Sequence, residues 1–561
     1  MKKLNAHANK KLFILVLFII FASALSLRLY KLYEYDLWFD ELISNGFSAS
    51  NIQNAALYTK INSPIVNLFK KISNDPHPSC YYTLVYIYSI LFGEGKSLRI
   101  LSVVFSLLSL GLFYKFARLF FDRQISIYAL LIMTFSPFHI WHAQEARGFT
   151  MACFFVLGMV YMYIQALKTN KLSLWIYFVI FSIFSMYCSC YAGILLLCLW
   201  ALFFLEKNRY CVKKIVLSYA FIMIGSLPLI FIVIKHMLFI KHSFWLSFPT
   251  IKSVLSTFAV FNLGYSAFLS EHLACLSLSF ALFVYGFYGC YQNNRNNAIA
   301  LLLLIFLPIG IVYFISKIFA PIYIERHFII LTPFYYLFIA RGIGGIRNRI
   351  LKTMVGTIIG LLLLSTLMNY YQNIMLTIHE VPDYVRIVED GDDLYQGIHH
   401  KKKYASVLNR LQDKFNDNDI IIIAQIHTVV LSEHYTKWYY KNMKTYFLLY
   451  PKALYDFSIK QLENFTGIQS IREKADDEQA LYYIYRQNGV VYLRKGSPIT
   501  EQTERVWFVY TYWCLNTYWN LNIPMEDNVS MIKKNVLNGL TRTLTDFGDG
   551  VYVELYEKSV T

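Results

Sequence analysis

Long apolar runs recur through the first two thirds of the chain and constrain its fold more than any other feature. A helix needs about 20 predominantly apolar residues to cross the hydrocarbon core of a bilayer. We predict eleven membrane-spanning helices, at residues 12–29, 98–117, 125–142, 150–167, 172–188, 191–205, 215–234, 272–290, 298–317, 328–344 and 353–371. The sequence therefore predicts a polytopic α-helical membrane protein.

The composition supports this prediction and argues against a nucleic-acid partner. Hydrophobic residues make up 57% of the chain and charged residues only 16%, whereas soluble proteins are about 45–50% apolar and about 25% charged. The net charge of +17 would suit nucleic-acid binding if it formed one basic surface. Many of the basic residues lie instead in short loops between apolar runs, the pattern of cytoplasmic loops in membrane proteins.

The stretch 81–92 is apolar but only about 12 residues long, which is short for a spanning helix. We predict that it forms an interfacial helix within one long outer loop, residues 30–97. With that count the N-terminus and the basic loops fall on the cytoplasmic side, as the positive-inside rule requires. The rule is met by Lys115, Arg118 and Arg123, and again by Arg341, Arg347, Arg349 and Lys352. We therefore expect a multi-pass protein of the cytoplasmic (inner) membrane.

The composition changes after residue 371, so we predict two domains, 1–371 in the membrane and 372–561 outside it. An odd number of spans places this second domain on the extracytoplasmic side. It has an amphipathic helical pattern at 401–411, and strand patterns at 419–424, 490–493, 506–510 and 551–555. Alternation of these patterns predicts a soluble α/β domain, and its length is sufficient for a core of its own.

The nine cysteines indicate neither a disulfide framework nor a zinc site. Most of them lie inside apolar runs, and none shows the CxxC or CxxH spacing that structural zinc requires. We expect them to pack as small buried hydrophobic residues.

Two adjacent carboxylates, Asp40 and Glu41, follow the first apolar run and are preceded by Trp38 and Phe39. Aromatic residues favour the headgroup layer, and a carboxylate that is partly shielded but reachable can act as a general base. The alternative is that both acids are solvated loop charges. The residues alone leave both interpretations open.

Further polar residues fall on the predicted outer side. They are His77, Glu145 and Arg147 in the run Ser136–Arg147, the aromatic run Phe244–Pro249, and Arg326 and His327. Charges at membrane depth are costly and are usually retained for function. Structural alternatives exist for three of these sites. Glu145 and Arg147 could pair with each other at a helix end, His139 and His142 could pack at the interface, and Arg326 could extend to the headgroups.

These motifs resemble the bacterial family 39-type glycosyltransferases of the membrane-embedded C superfamily, relatives of protein O-mannosyltransferases and of the lipid A aminoarabinose transferase. The resemblance is strongest in about 30–150 and 320–345. It rests on Leu37–Glu41, His77-Pro78 before Tyr81-Tyr82, Ser136–Arg147, Arg326-His327-Phe328 leading to Pro333, and a tail similar to the family's closing strand at Phe547-Gly548-Asp549. Two positions depart from the family: Ser79 replaces a second proline and Phe149 replaces a tyrosine.

The resemblance implies a GT-C fold and the transfer of a sugar from a polyprenyl-phosphate donor. The acceptor would be a lipid, a glycan or a protein on the outer face of the membrane, and membrane lipids would surround the site. For an inverting transfer we assign Asp40 as the base and place Glu41 and Glu145 with it in the catalytic set. His77, Arg147, Arg326 and His327 are assigned to the donor phosphate. The superfamily includes metal-dependent and metal-independent enzymes, so a divalent cation stays open.

Three other functions compete with this interpretation. A lipid-linked sugar transporter would be expected to show two similar halves or paired broken helices, and neither is evident in the sequence. A polyprenyl-linked glycan ligase or polymerase usually has one large outer loop late in the chain, whereas here the large outer segments are the first loop and the C-terminus. A non-catalytic scaffold would tolerate the loss of Asp40.

Overall fold

The computed structural model describes residues 2–58, 63–75, 77–205, 211–240 and 248–372, together with the strands and a few neighbouring residues of the segment 374–558. Its internal contacts divide the chain into two units. We call the first the helical unit; it comprises Met1–Leu32, Pro76–Val85 and Ser97–His379. The second, the mixed unit, comprises Tyr33–Asp75, Tyr86–Lys96 and Glu380–Thr561.

Helices dominate the first 371 residues. In chain order they are α1 (Lys2–Leu29), α2 (Phe39–Asn45), α3 (Ala49–Tyr58), α4 (Pro64–Asn74), α5 (Cys80–Phe92), α6 (Arg99–Ala117), α7 (Arg123–Phe135), α8 (Pro137–Ala143), α9 (Phe149–Thr169), α10 (Leu172–Cys188), α11 (Cys190–Leu205), α12 (Val212–Ile240), α13 (Ile251–Leu263), α14 (Leu269–Asn293), α15 (Arg295–Ile318), α16 (Thr332–Gly345) and α17 (Arg349–Tyr371). Short 3-10 helices lie at Gly95–Leu98 and Glu325–Leu331.

Every predicted span coincides with a helix. Among the described residues, eight helices are long and apolar enough to cross a membrane, and a ninth is added if the bent pair α7 and α8 forms one span. That pair occupies the predicted span 125–142, and its two helices meet at 55°. The predicted spans 172–188 and 191–205 correspond to shorter apolar helices. The chain is therefore a polytopic helical membrane protein.

The bend between α7 and α8 has a local chemical cause. Pro137 is the first residue of α8, where the missing N–H of proline costs nothing because that group has no helical partner. Ser136 before it adopts an extended backbone, and its Oγ accepts a hydrogen bond from the N–H of His139 at 3.3 Å. This serine cap starts a new helix in a new direction.

Helix α5 is 13 residues long and falls among the apolar helices too short for the spanning test, as its sequence predicted. Helix α13 was not predicted, because its 13 residues interrupt a polar stretch and are too few to give a span signal. It ends at Gly264, whose φ of +68° is a conformation that glycine adopts without strain.

Two helices of the helical unit, α14 and α16, approach each other through glycines. A side chain built on Gly286 would collide with the Phe338 carbonyl, and one built on Gly342 would collide with the Leu282 carbonyl. Small residues at such a crossing let two backbones come close, which is how helices gain packing energy in lipid.

The C-terminal segment contains a sheet, as predicted. The described strands of this segment are β1 (Ile374–Met375), β2 (Ile398–His399), β3 (Ile420–Ile423), β4 (Lys444–Leu449), β5 (Tyr482–Gln487), β6 (Val490–Lys495), β7 (Arg505–Tyr510), β8 (Leu540–Gly548) and β9 (Val551–Lys558). Strands β1 and β2 pair with each other. Seven strands form one sheet in the order β6-β5-β4-β3-β7-β9-β8. Strand β3 pairs in parallel with β4 and β7, and the remaining pairs are antiparallel.

Each of the four predicted strands matches a strand of this sheet, β3, β6, β7 and β9. Trp507 on β7 is fully buried, and its indole N–H donates to Asp419 Oδ2 at 2.6 Å. This bond satisfies a buried polar group at the sheet core. The predicted helix 401–411 lies outside the described residues, and the boundary at 371/372 stays a prediction.

Candidate active site

Helix α8 and the turn that follows it lie in the protein interior, and the turn carries the predicted site residues Glu145 and Arg147. Each of its seven side chains is buried, and so are the side chains of Gln144 and Glu145 that follow. The backbone N–H of Arg147 donates to the Glu145 carbonyl at 2.8 Å, which forms a tight turn before α9. This turn therefore fixes the backbone conformation of Glu145 and Arg147, which follow the end of α8.

Gln144 holds that turn against the ends of two other helices. Its Nε2 donates to the carbonyls of Leu27, Arg28 and Tyr30 at 3.3, 3.0 and 2.7 Å. Its Oε1 accepts from the Tyr370 hydroxyl at 2.7 Å. One amide thus bonds the carbonyls at the end of α1 and a side chain at the end of α17.

The carboxylate of Glu145 is held by its own helix. Oε1 accepts from the indole N–H of Trp141 at 2.7 Å, and Oε2 lies 3.0 Å from Nδ1 of His142. Glu145 is 2% exposed and His142 is 1% exposed. The alternative in which Glu145 mainly pairs with Arg147 is not what these contacts describe, because both carboxylate oxygens engage residues of α8.

Arg147 reaches a different segment. Its Nη1 donates to the phenol oxygen of Tyr82 at 3.1 Å, and its guanidinium carbon lies 5.9 Å from the centroid of Phe149. Arg147, Tyr82 and Phe149 line one pocket together with His77 and His327. We call this the cationic pocket.

Arg326 approaches the same phenyl ring. Its guanidinium carbon is also 5.9 Å from the centroid of Phe149, and the His327 ring is 5.4 Å from it. His327 lies within electrostatic range of Arg326, His77 and Arg147. The ring of His77 meets that of Tyr82 edge-on at 6.4 Å. The four residues assigned to phosphate therefore converge on one place.

Acidic groups border this cluster at Tyr265. The Tyr265 hydroxyl donates to Glu325, and its ring lies 4.9 Å from that of Trp141. Burial raises the pKa of Tyr265 well above its ordinary value; Glu325 and Glu145 raise it further, and Arg326 opposes them. The phenol therefore stays protonated and acts as a hydrogen-bond donor. Gly264 permits this arrangement, since a Cβ there would lie 3.1 Å from the backbone N of Phe138.

The acid pair lies in the mixed unit, in the first turn of α2. Asp40 is 8% exposed and Glu41 is fully buried, so they are not the solvated loop charges of the alternative interpretation. Glu41 Oε2 accepts from the backbone N–H of Trp38 at 3.3 Å, which satisfies a group that has no helical partner. Negative charge in a first turn also stabilises the helix.

Nearby in the same unit, Asp36 forms an ion pair with Lys96 at 3.0 Å. Lys71 Nζ donates to the Gly46 carbonyl at 2.6 Å, at the end of α2. Asn45 Oδ1 accepts from the N–H of Gly95 at 2.8 Å. These bonds attach both ends of α2 to neighbouring segments and give its carboxylates a defined position.

Five of the seven predicted site residues lie in the helical unit: His77, Glu145, Arg147, Arg326 and His327. Sequence reasoning gave His142 only a packing role and did not single out Tyr265. His142 stands three residues before Glu145, and side chains at this spacing are neighbours on a helix. This spacing could have identified His142 as a partner of Glu145 from the sequence. Tyr265 had no comparable signal.

His139 has the packing role that its sequence suggested, with Nε2 2.7 Å from Thr332 Oγ1. Among the described residues, no group of three His, Cys, Asp or Glu side chains is placed to hold a metal ion. In the aromatic run Phe244–Pro249, Phe244–Ser247 lies outside the described residues.

One family model matches the chain. It is described as dolichyl-phosphate-mannose-protein mannosyltransferase, and it matches residues 75–234. This range contains His77, Glu145 and Arg147, the pocket residues Tyr82 and Phe149, and the bent pair α7 and α8. A search of curated protein sequences finds no significant match.

The chain aligns with solved structures. The structure of ArnT from Cupriavidus metallidurans bound to undecaprenyl phosphate aligns with a TM-score of 0.51 and 10% sequence identity, over 98% of this chain and 98% of that one. The archaeal oligosaccharyltransferase AglB from Archaeoglobus fulgidus, in complex with an inhibitory peptide and a dolichol-phosphate, aligns with a TM-score of 0.43 and 12% identity, over 88% and 75% of the two chains. The first alignment shows that the chain shares the fold of the ArnT structure. The chain is therefore similar to this mannosyltransferase family over residues 75–234, and it shares the fold of the ArnT structure over 98% of its length.

Proposed function

We propose that this protein transfers a sugar from a polyprenyl-phosphate-linked donor to a lipid, glycan or protein acceptor on the outer face of the cytoplasmic membrane. One observation carries the proposal: His77, Arg147 and His327 line one pocket, and Arg326 shares the ring of Phe149 with Arg147. Two guanidinium groups beside one ring give this place a positive potential, which attracts an anion.

A phosphate is the anion that fits this cluster best. Guanidinium groups donate several hydrogen bonds in a planar fork, which matches the oxygens of phosphate. Such charge-assisted bonds are about twice as strong as neutral ones, and a site shielded from water strengthens them further. The ArnT structure that shares this fold is bound to undecaprenyl phosphate, which is a ligand of this class.

The transfer itself needs one base and a stabilised leaving group. In our proposal the Asp40 carboxylate takes the proton of the acceptor hydroxyl as its oxygen bonds to the anomeric carbon of the sugar. The bond from that carbon to the phosphate oxygen breaks, and the electron pair leaves with the polyprenyl phosphate. The cationic pocket stabilises the charge that develops there, and attack opposite the leaving group inverts the anomeric centre.

The two other predicted acids have supporting roles in this scheme. Glu41 stabilises the first turn of α2, which carries Asp40. Glu145 holds His142 and Trp141 beside the cationic pocket. A divalent cation would add to the charge at the phosphate, and transfer assays with and without a chelator test that requirement.

The orientation of the protein in the membrane is supported by charge placement. With the eleven predicted spans, the basic loops that follow α6, α9 and α16 would fall on one side, the pattern of cytoplasmic loops. Reaction of single engineered cysteines with an impermeant thiol reagent in intact cells tests this orientation. The native cysteines are removed first, including Cys190, the exposed one among the described cysteines.

The function is tested by mass spectrometry of envelope glycolipids and glycoproteins from four strains. One lacks the protein, and the others express wild type, Asp40→Asn or the control Asp122→Asn, whose side chain caps α7. We expect one sugar modification to be missing without the protein and with Asp40→Asn, and present in the other two. Wild-type modification in the Asp40→Asn strain, at equal protein levels, would remove Asp40 as the base. A complete absence of differences among all four strains would contradict the transferase proposal.

A further inference from the structure

His142 is a buried histidine of which one ring nitrogen has a hydrogen-bond partner and the other has none among the described residues. Its Nδ1 lies 3.0 Å from Glu145 Oε2. Its Nε2 is fully buried, and no group in the described part of the chain forms a hydrogen bond with it. A buried polar atom without a partner is costly and is rare in native proteins, so it calls for a ligand or an ordered water.

The surroundings of this nitrogen connect it to the cationic pocket. The His142 ring is 4.7 Å from the Phe149 ring, and Phe149 lines the pocket. Phe149 is also the ring that Arg147 and Arg326 both approach at 5.9 Å. A phosphate held by these arginines would therefore have its attached sugar within one ring's width of His142.

Hydrogen-bonding chemistry decides which part of the donor His142 can bind. A carboxylate only accepts hydrogen bonds, so the contact with Glu145 places the proton of a neutral imidazole on Nδ1 and leaves Nε2 as an acceptor. An acceptor is repelled by phosphate oxygens, which are also acceptors. A sugar hydroxyl is a donor, and it matches Nε2.

The groups around His142 also suit a sugar. Aromatic rings of Phe138, Phe149 and Tyr265 lie 4.8, 4.7 and 6.4 Å from the His142 ring. Aromatic faces pack against the apolar C–H surface of a sugar ring, and the carboxylate of Glu325, which Tyr265 bonds, offers a second acceptor for hydroxyl groups.

From these contacts we propose that His142 is a sugar-binding residue, whose Nε2 accepts a hydrogen bond from a hydroxyl of the sugar on the donor, with Glu145 fixing its tautomer. This inference rests on the proposed function and adds a subsite to it. It separates the recognition of the donor into two parts, the arginines for the phosphate and the His142–Glu145 pair for the sugar.

The test compares two probes on purified full-length protein. The first is undecaprenyl phosphate, which has no sugar, and its dissociation constant is measured directly. The second is the polyprenyl lipid fraction extracted from cells, whose sugar is transferred to membranes prepared from the strain that lacks the protein. Thermal unfolding is measured for every variant, so that activity is compared per folded protein.

We expect His142→Phe to bind undecaprenyl phosphate within about twofold of wild type and to lose sugar transfer by about tenfold or more. Phenylalanine keeps the ring contacts and removes both nitrogens. His142→Gln places an amide oxygen near the position of Nε2, so it should recover part of the transfer rate. Glu145→Gln, which keeps an acceptor for Trp141 but loses the charge, should lie between the two.

His139→Gln is the matched control, because His139 lies on the same helix and its Nε2 is already bonded to Thr332. We expect this variant to lower thermal stability without changing transfer per folded protein. Wild-type transfer by His142→Phe would overturn the inference. It would also be overturned if this variant lost undecaprenyl phosphate binding and sugar transfer equally, in proportion to its loss of thermal stability. A wild-type protein that neither binds undecaprenyl phosphate nor transfers sugar would instead contradict the proposed function itself.

Discussion

Arg147 and Arg326 lie at the same distance, 5.9 Å, from the centre of one phenyl ring, that of Phe149. They are 179 positions apart in the chain, and the fold alone brings them together. A cation over an aromatic face is attracted by the ring, which offsets part of the repulsion between the two arginines. In the proposed function, an anionic donor would meet the positive potential of both guanidinium groups here.

The first prediction concerns the positive potential of Arg147 and Arg326. Arg326→Ala is expected to raise the dissociation constant of undecaprenyl phosphate by about 10- to 100-fold, because a hydrogen bond to a charged group contributes about 1.5–3 kcal/mol. Binding is measured at two salt concentrations, and the wild-type affinity should fall more steeply with salt than that of the variant. Arg341→Ala is the control, since the Arg341 guanidinium donates to the Gly289 carbonyl. An equal loss in both variants would argue against a specific phosphate role for Arg326.

The second prediction separates the adjacent acids of α2. Asp40→Asn should reduce the transfer rate by about 10²–10⁴-fold, the range typical of a general base, with little change in thermal stability. Glu41→Ala should instead lower stability by about 1 kcal/mol, because its carboxylate accepts the Trp38 N–H at the start of the helix. Glu41→Gln keeps an acceptor and should recover most of that loss. Thermal unfolding and transfer, measured on the same preparations, distinguish the two roles, and a reversed pattern would exchange them.

The third prediction concerns Gln144 and Tyr370, which join the turn after α8 to the end of α17 through a 2.7 Å hydrogen bond. Gln144→Leu removes that bond and the three bonds to the end of α1, so it should destabilise the protein more than Tyr370→Phe does. The double variant should be less destabilised than the sum of the two, with a coupling of about 1 kcal/mol. Strictly additive losses of unfolding free energy would show that the bond contributes nothing to stability.

The fourth prediction tests the glycine crossing of α14 and α16. Gly342→Ala should cost about 1–3 kcal/mol, because the added methyl group meets the Leu282 backbone, which cannot move aside as a side chain can. Gly310→Ala on α15 is the control, since nothing lies within 4 Å of the added Cβ. This control should be neutral or stabilising by up to about 1 kcal/mol, since alanine favours helices over glycine. Thermal unfolding in one detergent compares them, and equal effects would argue against close packing at Gly342.

Much of the fold was predictable because membrane helices are encoded locally. The length of each apolar run decides whether a helix can cross the bilayer, and this holds wherever the helix finally packs. The same reasoning predicts that the short helix α5 does not span the membrane, and the runs of branched apolar residues identified β3 and β7. It missed α13, whose 13 residues carry no signal as strong as a full span.

The candidate site was only partly predictable. Charged residues at membrane depth stand out in a sequence because burying them is costly, so Glu145, Arg147 and Arg326 could be selected without a structure. Their partners could not. Tyr82 accepts from Arg147 across 65 residues, and a contact over that separation depends on how α5, α8 and α9 pack.

The sequence by itself determined the class of protein, the positions of its long apolar helices, four strands of its sheet and the charged residues worth testing. Only the tertiary structure decided that Arg147 and Arg326 both approach the ring of Phe149, that Glu145 contacts His142, and that Nε2 of His142 has no hydrogen-bond partner among the described residues. The physical reason is that local hydrophobicity sets where a chain is helical, whereas hydrogen-bond partners are set by side chains meeting across helices that are distant in sequence.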